Sequence, residues 1–132
     1  MTNETAIKFA EIYGFKNPKK CKITGYMEEY ITVEDVVQGK ATQADFASPR
    51  RFMPDCTDDV LALAIEWCKN QGVDDEGDHL VWIRGIFPHY NQYGEVSHCC
   101  IICIGYEKNL EVDSKSLPDA IMQAVIKTSE AL

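Results

Sequence analysis

Along the chain, apolar positions fall into blocks of helix or strand period, and the pattern is strongest after residue 55. Val60, Leu63, Ala64, Trp67 and Cys68 recur at spacings of three and four, with Leu61 and Ile65 widening the stripe. This predicts a helix opening at Thr57-Asp58-Asp59, where a cap hydroxyl and two carboxylates suit the positive end of the helix dipole. Gly72 closes it. Leu80–Phe87 and Glu95–Tyr106 are β-rich, and their link Pro88–Gly94 predicts an antiparallel hairpin. Lys108-Asn109 reads as a tight turn into a brief third strand at Leu110–Asp113. Ser116-Leu117-Pro118-Asp119 then opens a last helix, whose Leu117, Ala120, Ile121, Ala124, Val125 and Thr128 share one face.

The second strand is apolar on both sides: Cys99, Ile101 and Cys103 alternate with Cys100, Ile102 and Ile104. Such a strand needs cover on both faces. The expected class is α+β. A small antiparallel sheet of about three strands, as the segment pattern requires, is sandwiched between helices in α-β-α layers. The core at residues 50–132 reads helix-strand-strand-strand-helix.

Upstream the pattern is weaker. Asn3–Tyr13 carries Ala6, Phe9, Ala10 and Tyr13 on one face, with Thr2 or Asn3 as cap and Gly14 as stop. Phe15–Gly25 is a basic, irregular stretch, and Tyr26–Val33 a short, wet strand. Thr32 with Asp35 forms a capping box that opens a turn or two through Val36-Val37. Lys40–Pro54 lacks periodicity and reads as a connection. Residues 1–49 are thus expected to form a small helical or irregular unit packed on the core.

Phe52-Met53-Pro54-Asp55-Cys56-Thr57-Asp58-Asp59 before Leu61-Ala62-Leu63-Ala64, and Pro118-Asp119-Ala120-Ile121-Met122-Gln123-Ala124 near the end, resemble the small bacteriophage and prophage proteins of the phage ABA sandwich family. The resemblance spans roughly residues 50–132, the stretch the shared motifs bracket. It implies a layered fold and a phage origin, and it carries no activity with it.

Composition narrows the function classes. With 132 residues, 45% hydrophobic and 26% charged, the chain is ordinary globular protein. Its net charge is −8 and neither half is basic, which argues against gripping a phosphate backbone. The longest uncharged apolar run, in Val96–Tyr106, is about half of the ~20 residues a membrane helix needs. Met1-Thr2-Asn3-Glu4 lacks the basic start of a secretory signal, so the expected location is cytoplasmic, in the host cell for a phage protein.

Six cysteines (21, 56, 68, 99, 100 and 103) invite a search for chemistry. Cys100-x-x-Cys103 beside His98 has half a zinc spacing, but on a strand the two thiols point to opposite faces. Cys56, before a helix start, has His79, His89 and His98 as candidate bases, but Asp55, Asp58 and Asp59 oppose a thiolate there. Asp74–Asp78 fails the calcium-loop pattern. No catalytic residue, cofactor or metal is assigned. The candidate site is instead a partner-binding loop at Phe87, His89, Tyr90 and Tyr93, because tyrosine is enriched at protein interfaces. The expected function is a non-catalytic, protein-binding accessory protein with a host or phage partner, without nucleic acid or membrane. The alternatives are a thiol-dependent enzyme or redox or metal protein using Cys56 or His98–Cys103, and a structural homo-oligomer.

Overall fold

The computed structural model describes residues 3–132. Helix α1 (Asn3–Tyr13) buries Ala6, Phe9 and Ala10, the face its periodicity marks. Gly14 ends it in a left-handed conformation (φ 121°) that glycine adopts without strain; the alternative cap at Thr2 lies outside the described residues. Three two-residue strands, β1 (Lys19–Lys20), β2 (Met27–Glu28) and β3 (Arg51–Phe52), make a small antiparallel sheet in the order β1-β2-β3. Between β2 and β3 lie two five-residue helices, α2 (Val33–Val37) and α3 (Gln43–Ala47). Each opens on a full capping box, Thr32 with Asp35 and Thr42 with Asp45. The second was expected to be irregular. It is too short for periodicity to reveal, and only its capping pair marks it.

The main sheet follows. Helix α4 (Thr57–Lys69) leads into β4 (Val81–Tyr90), β5 (Val96–Ile104), β6 (Lys108–Ser114) and helix α5 (Leu117–Ala131). The sheet is antiparallel in the order β4-β5-β6. Thr57 is the first helical residue of α4, so it does not supply the expected cap hydroxyl; Cys56 stands at the cap and its side chain makes no capping hydrogen bond. Asp59 turns back instead and accepts from the backbone N–H of Met53 at 2.9 Å. At α5 the cap is as predicted, with Ser116 Oγ accepting from the N–H of Asp119 and Pro118 in the first turn.

The α+β class and the helix-strand-strand-strand-helix order match the sequence pattern. The contacts then fix where each helix lies. Helix α5 packs on β5 and β6, α4 packs on β4, and the two helices pack on one another. They therefore share the face of the sheet that carries Val81, Cys100 and Ile102, and this face joins Ile121, Met122 and Val125 in one apolar cluster. Helix α1 packs in turn on α5 and α4, adding Phe9 and, through Phe15 and Phe52, edge-to-face ring contacts at 5.5 and 5.6 Å. Among the described residues, α4 and α5 are the helices that pack on this sheet, and both lie away from the face of β5 that carries Cys99 and Cys103. Cys99 and Cys103 are small enough to be covered by neighbouring side chains, Glu111 and Asn109 among them.

Candidate binding site on the main sheet

Strand β4 is the edge of the sheet beside α4, and one row of its backbone groups faces away from β5. Two devices interrupt it. Arg84 is inserted as a bulge, so that Ile83 pairs with Ile102 and Gly85 with Ile101. Pro88 then removes one donor, a substitution an edge strand tolerates. Both limit indiscriminate edge-to-edge pairing.

The strand extends past Phe87, where the hydrophobic pattern stops, because Pro88, His89 and Tyr90 still pair with His98, Ser97 and Val96. Three of the four predicted loop residues, Phe87, His89 and Tyr90, are therefore on a strand. Only Tyr93 sits in the connection. That turn is tightly built: Asn91 Oδ1 accepts from the N–H groups of Tyr93 (2.8 Å) and Glu95 (3.0 Å), and Gly94 takes a left-handed φ of 77°. The aromatic rings do not fold back over the core. Tyr90 is 65% exposed and Tyr93 79%. By alternation Phe87 and His89 point to the helix-free face and Tyr90 to the other.

Next to this edge lies a cavity of about 380 Å³ between α4 and β4. Leu61, Ile65, Val81 and Ile83 make it apolar, and Lys69 and His79 also line it. None of its lining residues carries a carboxylate, in a chain of net charge −8. A second hollow, between α1 and α5, is spanned by the exposed pair Lys8–Glu130 at 2.8 Å and is lined mostly by polar and charged side chains.

The cysteines separate as alternation requires. Cys100 faces the helices within the core, while Cys103 on the other face donates to Asn109 Oδ1 at 3.0 Å. They cannot share a ligand. Burial pushes the thiols of Cys68 and Cys100 up to about 11 and 12, so both stay protonated at neutral pH. Among the described residues no hydrogen bond or ion pair joins Cys56 to His79, His89 or His98. Donation from the Thr24 hydroxyl and nearby N–H groups lowers the pKa of Cys21, on the turn before β2.

On the helix-free face the strand register gathers a set that sequence spacing does not show. Cys99 pairs with Asp113 and Ile101 with Glu111. Cys99 is fully buried and donates its S–H to Glu111 Oε1 at 3.2 Å. Burial first, and then hydrogen bonds to Glu111 and Asp113, push this thiol up to about 12. His89 Nδ1 lies 3.6 Å from Asp113 Oδ1. Sequence spacing does not reveal Glu111 and Asp113, which belong to another strand; pairing residues 96–104 with 108–114 places both beside Cys99.

Compared with protein-family models, curated proteins and solved structures, the chain matches none. No helix among the described residues is long and apolar enough to cross a membrane.

Proposed function

We propose that this chain is a small, non-catalytic protein-binding module, a phage-type accessory protein acting on a host or phage partner in the host cytoplasm. Its binding site is the free edge of β4, from the α4–β4 groove to the Tyr90–Tyr93 tip. The observation that carries this reading is the continuity of three features along one strand. Among the described residues no strand pairs with the outer side of β4, so its backbone groups there offer hydrogen bonds to an added strand. The groove of Leu61, Ile65, Val81 and Ile83 offers pockets for its alternate side chains. The exposed tyrosines offer anchors at its end. The occupant is an extended partner segment with alternating apolar side chains and an acidic flank. Lys69 and the exposed Arg84 are the charges it would meet, with no carboxylate in the groove to repel it.

Selection of peptides from a random library on the immobilised protein tests this. The expected winners are extended apolar sequences with Asp or Glu at one end. Their affinity should fall by more than about tenfold in Ile65→Glu and in Tyr90→Ala/Tyr93→Ala, the loss of a hot-spot contact. Peptides that bind all three proteins equally would contradict the site. Concentration-dependent dimerisation in light scattering, abolished by the same variants, would assign the edge to a second copy of the chain instead.

A further inference from the structure

The cluster on the helix-free face is independent of the strand edge and has its own chemistry. Cys99, Glu111 and Asp113 each point one ligand atom into a space where all three lie within 4.8 Å of one another. In a tetrahedral site with metal–ligand bonds of about 2.0–2.3 Å, donor atoms stand roughly 3.5 Å apart. The Cys99 Sγ to Glu111 Oε1 separation of 3.2 Å and the His89 Nδ1 to Asp113 Oδ1 separation of 3.6 Å fall around that value. The set draws on adjacent strands, so the sheet register and not a flexible loop holds it. The sulfur is buried at the base, and the carboxylates and His89 stand at the solvent side, which leaves a path of entry. Charge supports the same assignment. Two carboxylates converge on one thiol, a concentration of negative groups that a dication offsets.

We propose that Cys99, Glu111 and Asp113, with His89 turning in as fourth donor, bind a divalent transition metal of the zinc class. A thiolate donor selects zinc or cobalt over magnesium and calcium, which take oxygen ligands. Binding exchanges one bond for another: the S–H proton passes to solvent and the thiolate sulfur bonds the metal, with no change of oxidation state. The ion would tie the Tyr90 end of β4 to β6 across β5.

Titration of the full chain with Co²⁺ at neutral pH tests this, because a thiolate–cobalt bond gives a near-ultraviolet charge-transfer absorption and tetrahedral coordination intensifies the visible bands. One equivalent should produce both, Zn²⁺ should displace them, and Mg²⁺ should not. Cys99→Ser, isosteric at a buried position, should abolish the charge-transfer band, and Cys21→Ser and Cys103→Ser should retain it. Glu111→Gln and Asp113→Asn, exposed and conservative, should weaken binding by more than about tenfold. Absence of the band in the wild-type chain, or its persistence in Cys99→Ser, would overturn the site. Unchanged affinity in His89→Ala would overturn the fourth-donor assignment.

Discussion

Glu29 shows how much one side chain can organise. It is 5% exposed and its carboxylate accepts from Arg50 Nε and Nη2 at 2.9 Å, and from the N–H groups of Arg50 and Lys16. Arg50 in turn donates to the carbonyl of Gly14 and lies over the rings of Tyr13 and Phe15. One ion pair thus ties the segment before β3 to the end of α1. Burial raises the Glu29 pKa, but the hydrogen bonds from Arg50 and Lys16 outweigh it and hold the carboxyl below its ordinary value. The folded state therefore binds a proton less readily than the unfolded chain. The resulting stability is complete above the ordinary glutamate pKa of 4.5 and is lost as pH falls through the lower folded value. Glu29→Gln should lower the unfolding free energy at neutral pH by about 2 kcal/mol, the scale of charged hydrogen bonds from an arginine that is itself half exposed. Urea melts across pH should show the wild-type advantage shrinking in acid. A constant difference down to pH values below the glutamate range would contradict the linkage.

At the scale of elements, legibility followed the length of the repeat. Helices α1, α4 and α5 run three turns or more, and their apolar faces are the buried ones. Ile121 and Val125 on α5 are fully buried in the shared cluster, as their spacing indicates. Ile121→Ala should cost about 3 kcal/mol, transfer plus cavity, with an unchanged denaturant slope; a loss under about 1 kcal/mol would mean the site collapses around the change. A five-residue helix has no period to read, so in the sequence α3 is marked only by Thr42-x-x-Asp45. The extension of β4 to Tyr90 was hidden by Pro88, which reads as a breaker although an edge strand accommodates it. Asp119 is a related case. It sits at the capping-box position, but its carboxylate accepts from Ser114 Oγ and Gln123 Nε2, both at 2.6 Å, so the side chain braces β6 against α5.

For the whole molecule, the sheet has one greasy side and one mixed side, and the sequence could not distinguish them. Free cysteine is apolar enough to pass for core, and hydropathy counts Cys99 like Cys100. Only the pairing with β6 shows that Cys100 meets Val112 while Cys99 meets Asp113. The sequence places Tyr90 and Tyr93 near the hairpin tip, and both side chains are exposed there. The groove is not legible in the sequence, because it is made by α4 lying beside β4, a tertiary placement that no local pattern records. The functional reading rests on that edge being free in solution. Site-resolved amide hydrogen exchange on the isolated protein measures this directly. The account predicts that β4 amides facing β5 are protected and that those facing outward between Val81 and Phe87 exchange fast, at rates independent of protein concentration. Slow exchange on both sides of β4, strengthening with concentration, would show the edge already covered and contradict the account.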